Sequence, residues 1–131
     1  MLKPFQVWLG LFVLLAMGTG CATSSITNLT PSDFPRFDSG LYRIEAAWRS
    51  NQRSIQEDTI EPVVIVGTTH YPMQPVPYAE GRWETMVPVK PDQEVIHYHF
   101  KFNFIYSAVP EGRPNSKRSP EYRLDIVSEE L

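Results

Sequence analysis

The sequence lacks the means to cross-link itself, because it contains a single cysteine among 131 residues and no disulfide can form within the chain. It also lacks an excess of positive charge, since 12 Lys and Arg stand against 15 Asp and Glu. The resulting net charge of -3 argues against a nucleic acid partner, which a basic stripe would attract. A folded domain here must therefore rely on its apolar core.

The sequence patterns of enzymes are absent as well. No nucleophile elbow offers a Ser or Cys for a hydrolytic triad, and phosphate loops and dinucleotide fingerprints are missing. His97 and His99 stand two residues apart, with His70 elsewhere, and such a set could reach one Zn²⁺. Because no cysteine or close carboxylate pair accompanies them, solvated surface histidines are the preferred interpretation. We predict a protein that is not an enzyme and needs no metal or cofactor.

The sequence begins with the features of a secretory leader. Lys3 supplies a positive charge, residues 5–17 are mostly apolar, and small residues follow up to Cys21. A bilayer span needs about twenty apolar residues, so this run is too short to cross comfortably. The pattern predicts a signal peptide over residues 1–20.

Small residues directly before Cys21 resemble the lipobox of bacterial lipoproteins, although Gly18 stands where Leu is usual. Ordinary secretory cleavage and an uncleaved anchor remain alternatives, but lipidation would also remove the lone thiol of an exported chain. The resemblance implies a lipid anchor on Cys21, with at least two acyl chains and hence stable membrane attachment. Ala22 follows where inner-membrane lipoproteins commonly carry Asp, which favours the outer membrane.

The mature chain divides into a predicted tether and one domain. Residues 21–39 are rich in Ser, Thr, Asn and Pro, which predicts a lipidated cysteine followed by a flexible tether. From Gly40 apolar and polar residues alternate, as in Tyr42, Ile44, Ala46 and Trp48, and this period indicates a half-buried strand. Residues 94–106 alternate in the same way with aromatic residues on one face, which favours a core over a binding platform. Residues 110–120 are polar and basic, which predicts an exposed hairpin loop.

Short strands without helices predict an all-β protein, since each sheet must bury its apolar face against another. Residues 40–128 have about the size of one immunoglobulin-type domain. The predicted fold is an immunoglobulin-like β-sandwich that follows a lipoprotein signal peptide and a tether.

Five short segments of the domain, within about a third of the chain, follow one another in a family-like order: Val66-Gly67, Met73, Gly81-Arg82-Trp83-Glu84, Val87-Pro88 and Tyr98-His99-Phe100-Lys101-Phe102. This order resembles the glycogen- and starch-binding modules of the early-set immunoglobulin-like superfamily. The family's Asn-x-Trp is replaced by Thr68-Thr69-His70-Tyr71. The resemblance implies ligand-binding roles for Trp83 and Lys101 only.

Tyr71 and Tyr78 lie in a proline-rich passage, and rings on a stiff loop lose little entropy on binding. The candidate ligand-binding residues are therefore Trp83, Lys101, Tyr71 and Tyr78. The preferred function is a membrane-anchored envelope lipoprotein whose domain contacts a protein partner in a cell-surface or periplasmic assembly. The alternative is a lipid-anchored, glucan-type carbohydrate-binding module with a polysaccharide ligand. A flat, exposed face of Trp and Tyr would favour the alternative, and burial of those rings would favour protein contacts.

Overall fold

The computed structural model describes residues 23–128, so the predicted signal peptide and Cys21 lie outside the described residues. Residues 23–128 form strands and turns without a helix, and so contain no helix that could cross a membrane. The strands are β1 (Ser24–Asn28), β2 (Asp33–Pro35), β3 (Leu41–Ser50), β4 (Ile55–Val66), β5 (Thr69–Pro72), β6 (Gln74–Pro75), β7 (Arg82–Pro88), β8 (Val95–Tyr106), β9 (Arg113–Arg118) and β10 (Tyr122–Val127).

The strands form two sheets that face each other. The first sheet has the order β1-β3-β7-β6, and the second has the order β2-β10-β8-β4-β5. Strands β9 and β10 lie along the two halves of β8, because β10 pairs with residues 95–98 and β9 with residues 101–106. The predicted all-β sandwich is confirmed.

The core lies between the two sheets and is built by alternation. On β3 the inward side chains run from Tyr42 to Trp48, and on β8 the inward face is the aromatic one. The Trp48 ring stacks on Phe102 with a centroid distance of 5.0 Å and an interplanar angle of 14°. This contact joins β3 of the first sheet to β8 of the second. The buried residues packed together are Tyr42, Ile44, Ala46, Trp48, Ile55, Val64, Met73, Val87, Val89, Ile96, Tyr98, Phe100, Phe102, Phe104, Leu124 and Ile126.

The predicted tether over residues 21–39 is wrong for most of its length. Strand β1 pairs with β3 over five residues, and β2 runs parallel to β10. Ile26 and Phe34 pack against the core, and the rings of Phe34 and Phe37 lie 5.8 and 5.2 Å from Tyr42. These are short edge strands with few apolar residues. Their pairing depends on distant partners, which local composition does not reveal.

The predicted hairpin loop over residues 110–120 is also wrong. Residues 113–118 form β9, which pairs with β8 in six register positions. Every residue of β9 is exposed, so it shows no alternation between apolar and polar side chains. An edge strand with both faces in water has no periodic signal in its sequence.

Tyr98 gives a first prediction, because its phenol is buried and bonded. Its hydroxyl accepts a hydrogen bond of 2.9 Å from the Asn28 side-chain amide, and burial raises the pKa of Tyr98. Because the pKa is raised in the folded state, the neutral phenol contributes to the free energy of unfolding. This contribution is fully present below the unfolded-state pKa of about 10 and is lost as pH rises through the folded-state pKa. Tyr98→Phe should cost about 0.5–1.5 kcal/mol at pH 7 by removing the bond.

Urea unfolding of both proteins at pH 7 and in steps above pH 10 checks this expectation. The difference in the free energy of unfolding between the two proteins should narrow as pH rises, because only the unsubstituted protein has the Tyr98 phenol to lose as a neutral group. Comparing the two proteins cancels the titration of every other group. A difference that stays constant with pH would contradict the assignment.

Candidate functional site

The outer face of the first sheet carries charges that compensate one another. Glu45 and Glu84 lie directly opposite across β3 and β7, an arrangement that is unfavourable by itself. Each glutamate has an arginine partner, since Arg43 Nε lies 3.6 Å from Glu84 Oε2 and Arg82 donates to Glu45 Oε1. The opposite charges on this face therefore compensate one another within the domain.

The outer face of the second sheet carries a similar pair that forms no ion pair, although Glu61 lies on the same face opposite Asn103. Lys101 on β8 lies directly opposite Arg118 on β9, and Val63 on β4 lies on the other side of Lys101. Within residues 23–128 neither cation has a carboxylate within ion-pair distance. Two like charges opposite each other destabilise a sheet. This surface of β4, β8 and β9 is called the basic face below.

The predicted surface histidines lie beside this pair. Ile65 on β4 has His70 of β5 on one side and His99 of β8 on the other, and it is only 5% exposed. His97 lies opposite Arg123 of β10. No cluster of three or more His, Cys, Asp or Glu in the described part of the chain could hold a metal ion. The imidazoles border an apolar residue on the sheet surface.

A cleft opens at one end of the sandwich beside the tryptophans. Its volume is about 580 Å³, and the turn before β7 forms one wall. The carbonyl of Gly81 in that turn accepts a 2.7 Å bond from the Trp48 amide, and a Cβ there would lie 2.6 Å from the Trp48 carbonyl oxygen. Glycine thus permits this close approach. The lining residues are Trp48, Arg49, Ser50, Gln52, Ile55, Glu57, Ile60, Pro75, Ala79, Glu80, Gly81, Arg82 and Trp83.

The four candidate ligand-binding residues are not assembled into one site. Trp83 is partly buried and lines the cleft, on the same side of β7 as buried Val87. Tyr71 lies opposite buried Val64 and packs against the core. Lys101 lies on the basic face, on the outer side of the second sheet. Two of the three aromatic candidates thus face inward, from different sheets.

Tyr78, the fourth candidate, lies at the tip of the turn between β6 and β7. It is fully exposed, and its φ of 61° is left-handed, a conformation that bulky residues rarely adopt. Sequence reasoning did not connect Arg118 with Lys101, since it assigned Arg118 to a loop. Only the register of β9 against β8 brings the two together.

The strand order defines the class of protein. The orders β1-β3-β7-β6 and β10-β8-β4-β5 correspond to the ABED sheet and to the GFC sheet with an added C′ strand of an immunoglobulin domain. This chain is an immunoglobulin-like β-sandwich. A solved structure of murine CRIg is similar to it, with 11% identity and a TM-score of 0.44, covering 81% of this chain and 99% of that chain. No protein family and no curated protein matches the sequence.

Proposed function

We propose that this protein is a lipid-anchored envelope lipoprotein whose domain binds an acidic protein partner through the basic face. The observation that carries the proposal is the Lys101–Arg118 pair, which has no carboxylate partner in the described chain. The comparable Glu45–Glu84 pair is compensated by two arginines. Carboxylates of a partner would relieve the uncompensated pair, and charge complementarity of this kind selects partners.

The surroundings of the pair support a protein surface as the ligand. Val63 lies between Pro72 and Lys101, and Ile105 further along β8 is 37% exposed. Apolar residues with arginine are typical of protein interfaces. The glucan alternative has less support, because Trp83 and Tyr71 face inward and Lys101 lies on an outer face. The proposed role is non-enzymatic contact within a cell-surface or periplasmic assembly.

Lys101→Glu separates a binding role from a structural one. The substitution places opposite charges across β8 and β9, so stability should stay equal or rise by about 0.2–1 kcal/mol. Binding to the acidic partner should fall because attraction becomes repulsion. Thermal unfolding of the variant measures its stability. Binding is measured by crosslinking in membranes that contain either the lipidated variant or the lipidated native chain, and by comparing how much partner is recovered with each.

Arg43→Glu on the first sheet is the matched control, with the same change of charge. It removes a compensated arginine, so stability should fall slightly while the partner is retained. The proposal predicts opposite effects for the two variants. Equal recovery of the partner with Lys101→Glu and with the native chain would remove the basic face from the proposal.

The proposed anchor is tested at Cys21. Cys21→Ser removes the thiol that would carry the acyl group, so the product should lack an acyl label and leave the membrane fraction, or stay unprocessed. Mass spectrometry of the N-terminal peptide and phase partition in detergent measure this. A cleaved variant that still partitions with detergent would contradict anchoring through Cys21.

A further inference from the structure

The domain begins almost immediately after Cys21. The Thr23 amide donates a 2.6 Å bond to Asn51 Oδ1, and the Asn51 amide donates a 3.1 Å bond to the Thr23 carbonyl. Ser24 then pairs with Ser50 at the end of β3. Only Ala22 separates Cys21 from Thr23, a distance of at most about 7 Å in an extended chain. A lipid on Cys21 would therefore hold this end of the sandwich at the membrane surface.

Three connections meet at this end, which is called the N-terminal pole below. The loop 51–54 between β3 and β4 contacts Thr23, and its Ser54 carbonyl accepts a 2.7 Å bond from Ser107 in the loop 107–112. The turn 76–81 is tied to the same end of β3 through the bond between Trp48 and Gly81. All three would face the bilayer together.

The N-terminal pole presents the two most exposed large hydrophobic side chains of the described residues. Tyr78 in the turn 76–81 has a relative exposure of 109%, and Val109 in the loop 107–112 has 92%. The other exposed large hydrophobics in residues 23–128 lie between 37% and 50%. The left-handed φ of Tyr78 strains its backbone. Within residues 23–128 the Tyr78 side chain makes no hydrogen bond that would offset this strain. Strain of this kind tends to persist where it serves a function.

The charges of the N-terminal pole are of mixed sign. Its three connections carry exposed Arg53, Glu80 and Glu111, and exposed Arg49 and Arg113 lie at the adjoining strand ends. A surface of mixed sign has no net attraction to anionic headgroups. Tyr is enriched at membrane interfaces, where its ring lies at headgroup depth. The chemistry of this pole fits an apolar contact with lipid.

We infer that the N-terminal pole rests on the lipid surface, with Tyr78 and Val109 inserted at the interface. The inference rests on the proposed acylation of Cys21 and adds an orientation to it. Strand β3 ends at this pole, so the sheets extend away from the bilayer. The basic face then stays open to a partner from the side.

Nitroxide labels on the full lipidated chain in phosphatidylethanolamine–phosphatidylglycerol vesicles test this orientation. The labelled variants are Tyr78→Cys and Val109→Cys, and the matched controls are Thr68→Cys and Asp92→Cys at the opposite end. Oxygen concentrates in the bilayer and a nickel chelate stays in water. The ratio of oxygen to nickel accessibility should be several-fold higher at Tyr78 and Val109 than at the controls. Vesicles without phosphatidylglycerol should give the same ratio.

The outcomes separate this inference from the proposed anchor, because the acylation of Cys21 is measured by mass in the same sample. An acylated chain with equal ratios at all four positions would overturn the orientation alone. Shielding of Tyr78 and Val109 from both reagents would indicate a second copy at the pole and would also overturn it. A chain without acyl groups would overturn the proposed anchor and, with it, the inference.

Discussion

Phe102→Ala should lower the free energy of unfolding by about 3–5 kcal/mol, the range for removing a large aromatic side chain from a core. Phe102 is 0% exposed, and its ring stacks on Trp48 at 5.0 Å. Antibody domains join the same two strands, B and F, with a disulfide, and this chain has none. The aromatic stack joins these two strands across the core, and its loss leaves a cavity between the sheets.

Urea unfolding followed by tryptophan fluorescence measures the loss. An unchanged dependence of the free energy of unfolding on urea concentration shows that the transition is still cooperative. Ile105→Ala is the control, because Ile105 lies on the same strand but its side chain is 37% exposed. Ile105→Ala should cost less than about 1 kcal/mol, as is usual at exposed positions. A comparably small loss for Phe102→Ala would mean that the aromatic face of β8 is not the core.

The strands that bury one face were predictable from the sequence. Residues 42–48 and 96–106 alternate between apolar and polar except at Ala47 and Ile105, and the structure places β3 and β8 over these residues with the predicted side chains inside. Burial imposes period two on such strands, so the periodic signal and the structure have the same cause. The fold class followed from these strands because two apolar faces must cover each other.

The edge strands and the candidate site were not predictable in the same way. Strand β1 has Ile26 as its one large apolar residue, and β9 has none. Neither sequence therefore shows an alternation of apolar and polar residues. The pairing of Lys101 with Arg118 depends on the register of β9, which is long-range information. Tyr78 was predicted as a candidate ligand-binding residue, but its location at the same end of the sandwich as Thr23 depends on the pairing of β1 with β3.

A chain that begins at Gly40, the predicted start of the domain, should fail to fold cooperatively. It lacks β1 and β2, and with them the apolar contacts of Ile26 and Phe34, each worth up to about 1.5–3 kcal/mol on full burial. It also lacks the Asn28 bond to Tyr98 and the two bonds of the Thr30 hydroxyl to the β3 backbone. Each such bond contributes about 0.5–1.5 kcal/mol.

These losses reach about 5 kcal/mol or more, which is comparable to the whole stability of a small domain. A chain that begins at Thr23 is the control and should unfold in one cooperative transition. Adding a peptide of residues 23–39 to the shorter chain should restore part of the structure, because a free strand can pair with the exposed edge of β3. Circular dichroism and urea unfolding measure all three samples. If the chain from Gly40 unfolded with an undiminished midpoint, residues 23–39 would act as a tether, and Cys21 would not be held close to the folded domain.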